Sequence, residues 1–213
     1  MSKDNTSNRV TTDWYDREAQ AYKKRTDAAE MEAIYTKFLD GLPKGSRILD
    51  LGCGPGRDMA AFKARGYRVE GVDGAEGMVD LARRRLGAET RVTHSSFADW
   101  QPDQGRYDAI WACASLMFVP PDQMAETLAK ARKALKPGGK LYIAVKHGQG
   151  ERLEDDVRRV WLWTTQTLSQ HLPGFDIDIT WTTGDASPQR RQVKWLNLLA
   201  RRKRPEPSIT PRM

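Results

Sequence analysis

The chain has 213 residues, of which 39% are hydrophobic and 30% charged, and its formal net charge is +7 at pH 7. This composition suits one globular domain with a sizeable core, and no apolar stretch approaches the ~18 residues that a membrane span requires. Two cysteines, Cys53 and Cys113, argue against a disulfide framework, and the lack of metal-ligand spacing argues against a metal site. The polar N-terminus has no apolar secretory segment, so we expect a cytoplasmic protein without membrane contact.

The positive charge is concentrated in short arginine clusters, which lie at 83–85, 158–159, 190–191 and 201–204. A basic surface favours anionic partners, nucleic acid included. No interleaved aromatic residues accompany these clusters, and solvated arginines are common on protein surfaces. Nucleic acid is therefore a partner that the charge permits but the sequence pattern does not favour.

Apolar residues at helical spacing predict one helix over about 13–40, and the sequence "LPKGS" then breaks it. Beyond it, short apolar strands alternate with helices of about ten residues. The predicted strands are 47–52, 67–73, 90–97, 107–116 and 140–148, and the predicted helices are 56–66, 75–87 and 121–139. This alternation indicates an α/β fold with a parallel sheet built from right-handed βαβ units.

The pattern changes after residue 150. An amphipathic segment over 153–172 predicts a helix, and the segments 175–183 and 193–203 predict a closing pair of strands. The domain organisation that we expect is a disordered N-terminus over 1–10, a single domain over 11–204 and a flexible tail over 205–213.

Three glycines, Gly52, Gly54 and Gly56, follow the first predicted strand directly. A glycine-rich turn between a strand and a helix lets a ligand approach backbone N–H groups closely. The segment lacks the Gly-Lys-Ser/Thr of a P-loop, and its spacing is G-x-G-x-G instead of G-x-G-x-x-G. Asp73 ends the second predicted strand, where a carboxylate can accept hydrogen bonds from both hydroxyls of a ribose. Together the glycines and Asp73 predict a nucleoside-binding site.

Four segments resemble, in order and spacing, the motifs of class I S-adenosylmethionine-dependent methyltransferases. They are "ILDLGCGPGRD" (48–58), "VEGVDGAEGM" (69–78), "YDAIWACASL" (107–116) and "ALKPGGKLYIAV" (134–145). In finer detail the chain resembles a bacterial branch similar to tellurite-resistance methyltransferases. The resemblance implies a Rossmann-like α/β sandwich, in which a seven-stranded, mostly parallel sheet with an antiparallel last strand carries helices on both faces. It also implies S-adenosylmethionine as cofactor and S-adenosylhomocysteine as product.

The same resemblance implies a set of cofactor-binding positions. Asp73 would bind the ribose, and Met78 would pack near the adenine. Ser96 stands where many relatives carry an aspartate that contacts the adenine amine, which leaves that contact open, with Asp99 as an alternative. The N-terminal "WYDREAQAYKKR" resembles a lid helix, within about 13–40, whose tyrosines cover the cofactor. The implied cofactor positions are Tyr15, Tyr22, Asp50, Gly52, Cys53, Gly54, Gly56, Asp73, Gly74, Met78, Ser96, Phe97, Ala112 and Cys113.

Methyl transfer from a sulfonium to a nucleophile is a direct displacement, so the protein mainly aligns the donor and the acceptor. His147 follows the last parallel strand and is a candidate general base, with a solvated loop histidine as the alternative. Ser115, Trp161 and Arg190 are candidate substrate contacts, with core packing or a surface ion pair as the alternatives.

The predicted reaction is methyl transfer to an oxygen, nitrogen or sulfur atom of a small molecule. The region after the fourth strand lacks the Asn/Asp-Pro-Pro-aromatic sequence of DNA amino-methyltransferases. The compact length and the lack of a separate recognition domain favour a small-molecule acceptor. Two alternatives stay open: a tRNA or RNA methyltransferase, which the charge suggests, and a cofactor-binding protein without transfer activity.

Overall fold

The computed structural model describes residues 3–155, 157–185 and 192–205. The strands are β1 (Arg47–Leu51), β2 (Arg68–Asp73), β3 (Val92–His94), β4 (Tyr107–Cys113), β5 (Leu135–Lys146), β6 (Glu151–Glu154), β7 (Arg158–Trp161), β8 (Phe175–Gly184) and β9 (Lys194–Arg202). The helices are α1 (Lys3–Arg17), α2 (Ala19–Thr26), α3 (Glu32–Leu39), α4 (Arg57–Ala64), α5 (Glu76–Leu86), α6 (Pro121–Ala134) and α7 (Thr165–Ser169), and a 3-10 turn spans Leu116–Phe118.

Seven of these strands form one sheet in the order β3-β2-β1-β4-β5-β9-β8. Neighbouring strands from β3 to β5 pair in parallel, whereas β9 pairs antiparallel with both β5 and β8. The predicted seven-stranded sheet with an antiparallel last strand is therefore confirmed. The chain runs outward from β1 to β3 and then returns to β4 on the other side of β1, which creates a switch point at the carboxyl ends of β1 and β4.

Apolar side chains cover both faces of the sheet. Ile110 belongs to a core on one face, and the next residue of β4, Trp111, belongs to the core on the other face. On the second face the Trp111 ring stacks on Tyr142, with 4.1 Å between centroids. Because β1 and β4 are buried on both faces, their sequences are nearly continuous apolar runs.

The N-terminal region consists of three helices, α1, α2 and α3, instead of the single helix predicted over 13–40. Helix α1 begins at Lys3, so residues 3–10 are helical where the sequence predicted disorder. Helix α2 ends at Thr26, and the next residue, Asp27, is bound by Arg85 of α5 at 2.6 Å. The break lets α1 and α2 contact α5 while α3 packs on the sheet, an arrangement that one straight helix could not achieve.

The segment predicted as a helix over 153–172 instead begins within a β-hairpin, formed by β6 and β7, and only the short helix α7 follows. The prediction was wrong because the segment follows a period of two at the hairpin: Arg158 and Val160 are buried, whereas Arg159 and Trp161 are partly exposed. Asp155, with φ 48°, turns the chain between the two strands. The third predicted strand is also shorter, since β3 ends at His94.

In the part of the chain that the structure describes, no helix is long and apolar enough to cross a membrane. The predicted tail from residue 206 onward lies outside the described residues.

Candidate functional site

A cavity lies at the carboxyl ends of β1, β2 and β4, beside the switch point of the sheet. Helices α1 and α2 cover it, and the loop after β3 and the start of α6 complete its wall. Among the described residues that form this wall, Asp73 is the one with a charged side chain. Open α/β sheets bind their ligands at this place, so the cavity is the candidate functional site.

The glycine loop after β1 has its shape for two reasons. Gly52 has φ +85°, and a Cβ placed there would lie 2.2 Å from the Cβ of Ser115, so a larger residue does not fit. Gly54 has φ +51° and faces open space in the cavity, since nothing lies within 4 Å of a Cβ placed there. Gly56 instead lies against α5, where a Cβ would be 3.1 Å from Ala82. The first two glycines therefore shape the cavity, and the third lets α4 pack on α5.

Asp73 is held at the end of β2 by backbone donors. The N–H of Gly54 donates to Oδ2 at 2.8 Å, and the N–H of Ala75 donates to Oδ1 at 2.9 Å. Burial raises the pKa of Asp73 above its usual value, whereas these two hydrogen bonds favour the charged form. The carboxylate is thus oriented in the cavity wall, at the position from which an acid can accept ribose hydroxyls.

One side of the cavity is apolar and lies between α5 and the loop after β3. Met78 on α5 and Phe97 in that loop contribute to its wall. Ser96 also lines the cavity, and its Oγ donates to Oδ2 of Asp99 at 2.6 Å. The N–H of Asp99 returns a hydrogen bond to Ser96 Oγ at 3.1 Å, so Asp99 caps the turn and its side chain is outside the wall.

Aromatic rings from the N-terminal helices close the opposite side. Tyr15 of α1 and Tyr22 of α2 meet edge to face, with 5.1 Å between ring centroids. Tyr15 also meets Phe118 of the 3-10 turn edge to face at 5.7 Å. Burial raises the pKa of both tyrosine hydroxyls, so both are neutral near neutral pH. These rings form an apolar cover on this side of the cavity.

The chain leaves β4 in a strained conformation. Ala114 has φ 56°, a left-handed backbone that non-glycine residues rarely adopt, and its N–H donates to Ala144 O at 2.9 Å. Next to it, Ser115 Oγ donates to Leu51 O at 2.6 Å, which ties the end of β4 to the end of β1. Strain of this kind is typical of functional sites, where the surrounding structure maintains it.

Asp50 lies on β1, just below the glycine loop, and it is 3% exposed. Its Oδ2 atom has no hydrogen-bond partner among the described residues. Burial, together with the nearby carboxylate of Asp58, raises the pKa of Asp50 well above its usual value. Asp58 itself accepts hydrogen bonds from Tyr35 at 2.5 Å and from Trp111 at 2.8 Å. The unpaired oxygen of Asp50 is an acceptor that a ligand with a donor group could complete.

The structure brings most of the sequence-predicted positions into the cavity wall. Those that line it are Tyr15, Tyr22, Gly52, Gly54, Asp73, Gly74, Met78, Ser96, Phe97, Cys113 and Ser115. Asp50, Cys53, Gly56 and Ala112 lie outside the wall. The Cys53 side chain packs toward Gly71 and Met59, and Ala112 points into the core, because alternate residues of a strand face opposite sides.

Two other predicted positions lie outside the cavity wall, and a third is not among the residues that the structure describes. His147 is exposed, and its backbone N–H donates to Lys194 O at 2.9 Å, so the structure does not place this candidate base at the site. Trp161 of β7 packs against the core on one face of the sheet and does not line the cavity. Arg190 lies outside the described residues. The described residues also hold no group of three or more His, Cys, Asp or Glu side chains that could bind a metal ion.

Sequence reasoning missed several residues of the wall. They are Thr11, Thr12, Ala75, Ala98, Ala114, Phe118, Val119, Gln123 and Thr127. Gln123 and Thr127 are four residues apart on α6, and that spacing was a usable signal for one helix face. Thr11 and Thr12 lie on α1, N-terminal to the predicted lid helix, and the remaining residues lie in or next to turns whose direction the sequence does not show.

Comparison with known proteins agrees with this geometry. A family model described as a methyltransferase domain matches residues 48–139, which include the glycine loop, Asp73 and the end of β4. The trans-aconitate 2-methyltransferase of Variovorax paradoxus is 36% identical over 112 residues, covering 52% of this chain and 42% of that protein. The demethylmenaquinone methyltransferase of Clavibacter sepedonicus is 37% identical over 101 residues, covering 46% of this chain and 40% of that protein. The match thus spans less than half the length of either relative.

A solved structure shares the fold over nearly the whole chain. It is the 1,6-didemethyltoxoflavin-N1-methyltransferase of Burkholderia thailandensis, with bound 1,6-didemethyltoxoflavin and S-adenosylhomocysteine. The TM-score is 0.77 and the identity 22%, and the match covers 95% of this chain and 92% of that one. The matching domain, the sheet order and the glycine loop together support the class I S-adenosylmethionine-dependent methyltransferase superfamily that the sequence motifs resemble.

Proposed function

We propose that the cavity binds S-adenosylmethionine and that the protein transfers its methyl group to a small-molecule nucleophile, leaving S-adenosylhomocysteine. The observation that carries this proposal is the Asp73 carboxylate, fixed beside the open face of Gly54. When bound, the cofactor supplies an activated methyl group on a sulfonium, which a nucleophile takes by direct displacement.

The described residues fit this cofactor. Asp73 would accept hydrogen bonds from the ribose hydroxyls, and Met78 and Phe97 would flank the adenine from the apolar side of the cavity. The amino-acid part would lie over Gly52 and Gly54, where no side chain blocks the backbone.

The chain's own contribution to the chemistry is to orient the acceptor and to exclude water. Tyr15, Tyr22 and Phe118 form an apolar cover over the end of β4, where an acceptor could approach the methyl group. The described wall contains no histidine, lysine or glutamate that could act as a general base. This supports an acceptor whose nucleophilic atom is unprotonated near neutral pH, such as a carboxylate or a heteroaromatic nitrogen.

The relatives favour a small-molecule acceptor over nucleic acid. The curated relatives and the solved structure described above carry the names of methyltransferases that act on small molecules. A tRNA methyltransferase and a binding protein without transfer activity are the alternatives. We further propose that the protein works in the cytoplasm, since the relatives named above are small-molecule methyltransferases.

Calorimetric titration with S-adenosylmethionine and S-adenosylhomocysteine tests this function. We expect both to bind the folded protein, and Asp73→Ala to weaken both affinities by about 10- to 100-fold because charge-assisted hydrogen bonds to the ribose are lost. The matched control is Asp80→Ala, which removes a carboxylate that is 49% exposed on α5. Equal affinities of the two variants would refute the site, and transfer to a panel of small nucleophiles would separate an enzyme from a binding protein.

A further inference from the structure

Arg158 of β7 lies in an aromatic box between the hairpin and the helix that covers the cavity. The side chain is 5% exposed. Its guanidinium carbon is 3.8 Å from the ring centroid of Trp14, 5.1 Å from that of Tyr15 and 5.7 Å from that of Phe118. The box therefore joins three elements: helix α1, the 3-10 turn after β4 and the hairpin β6–β7.

The hydrogen bonds of Arg158 also connect α1 with the hairpin. Nη1 donates to the hydroxyl of Tyr15 at 2.8 Å, and Nη2 pairs with Asp155 at the turn of the hairpin. Taking a guanidinium out of water is costly, and the ion pair and the aromatic rings offset that cost only in this arrangement. A lysine would keep the charge but could not stack on Trp14 and bond in two directions at once.

The neighbouring Arg159 shows what an ordinary arginine does on this strand. Its side chain points to the other face of the hairpin, is 43% exposed and pairs with Glu151. The two arginines have the same chemistry and adjacent positions, but only Arg158 touches α1. Burial and contacts thus distinguish Arg158 from Arg159, although the two adjacent arginines look equivalent in the sequence.

We propose that Arg158 is a positioning residue that fastens α1 over the cavity by fixing Trp14 and Tyr15. Tyr15 is part of the cavity wall, and its ring supports Tyr22. Without the contact to Arg158, α1 loses its attachment to the hairpin and opens more often. This inference rests on the proposed function, because the cofactor is what α1 would retain.

The experiment compares Arg158→Lys with Arg159→Lys in S-adenosylhomocysteine affinity and dissociation rate and in amide hydrogen exchange. For Arg158→Lys we expect about tenfold weaker binding with faster dissociation, the factor that loss of one desolvated cation–π contact predicts. In Arg158→Lys, the rate of amide hydrogen exchange should rise in α1 and stay unchanged in β1 and β4. Arg159→Lys should match the wild type in all three measurements.

A second variant guards against misfolding of the first. Trp14→Phe keeps an aromatic ring in the core but weakens the cation–π contact, so exchange in α1 should rise by a smaller factor. Equal affinity and equal α1 exchange in Arg158→Lys and Arg159→Lys would overturn the proposal, as would a rise in exchange spread over α1 and the sheet alike. If the wild type did not bind S-adenosylhomocysteine, the proposed function would fail, while α1 exchange would still decide whether Arg158 fastens the helix.

Discussion

Gly54 and Asp73 show how single residues make this cavity. The glycine N–H bonds the carboxylate at 2.8 Å, and the space beside the glycine is open. Backbone and side chain therefore act together, since the same residue that holds the acid also leaves room for a ligand. The two positions are 19 residues apart in the sequence and meet because β1 and β2 are paired in parallel.

Gly54→Val should abolish cofactor binding, because the side chain would fill the open space beside Asp73. The matched control is Gly45→Val: Gly45 has φ +78° and open surroundings but lies in the turn before β1, away from the cavity. Both substitutions carry a similar backbone strain of about 1–2 kcal/mol, so unfolding by urea should show similar losses of stability. Calorimetry with S-adenosylhomocysteine should show loss of binding only in Gly54→Val. Retained binding in that variant would mean that the ligand lies elsewhere.

Asp50→Asn should stabilise the protein near neutral pH. The folded pKa of Asp50 is raised, so its contribution to stability is present below the unfolded pKa and is lost as pH rises through the folded value. Asparagine does not ionise, and we expect a gain of about 1 kcal/mol near pH 8 that shrinks toward about pH 4. Urea unfolding of the wild type and the variant at both pH values measures this difference in the free energy of unfolding. A variant that is less stable near neutral pH would show that the charge of Asp50 is compensated.

Asp73 and the glycine loop were predicted from the residues themselves, and they lie at strand ends. Tyr15, Tyr22 and Met78 lie on helices and were implied only by the family resemblance. Asp73 and the glycines follow apolar runs whose burial is plain from composition, so their place at the sheet's carboxyl edge could be predicted. The positions of Phe118 and Arg158 could not be predicted, because Phe118 reaches the cavity through the 3-10 turn and Arg158 reaches its cover through the hairpin. His147 forms a bridge with Trp163 after β5 and is exposed outside the cavity wall, so its role as a general base stays a prediction.

At the scale of elements, the alternating half of the chain was predictable and the rest was only partly so. Strands β1, β2 and β4 are covered on both faces, and such buried strands have a strong sequence signal. The hairpin β6–β7 lies outside the main sheet and carries charged residues on both strands. Its apolar positions fit a helical period as well as a period of two, so tertiary contacts with α1 decide its conformation.

At the scale of the whole molecule, several arginines are paired with nearby carboxylates, although the chain keeps a formal net charge of +7. Arg85 pairs with Asp27 at 2.6 Å, and Arg106 pairs with Glu70 at 2.6 Å. Arg201 at the end of β9 pairs with Asp178 at 3.0 Å. Arginines that are held by carboxylates are less available to phosphates, which favours a small-molecule acceptor over nucleic acid.

Methyl transfer to bulk tRNA and to small nucleophiles distinguishes these two acceptors. With labelled S-adenosylmethionine, we expect no label in tRNA and transfer to members of the small-molecule panel. Any tRNA binding should be the unspecific kind that falls steeply between about 50 mM and 200 mM salt. Cofactor affinity should change little over that range, because the Asp73 contact is a short-range hydrogen bond in the cavity wall and not a charge pair at the surface. Label that enters tRNA and is released by ribonuclease would contradict the small-molecule proposal and would make the exposed arginines part of a nucleic-acid surface.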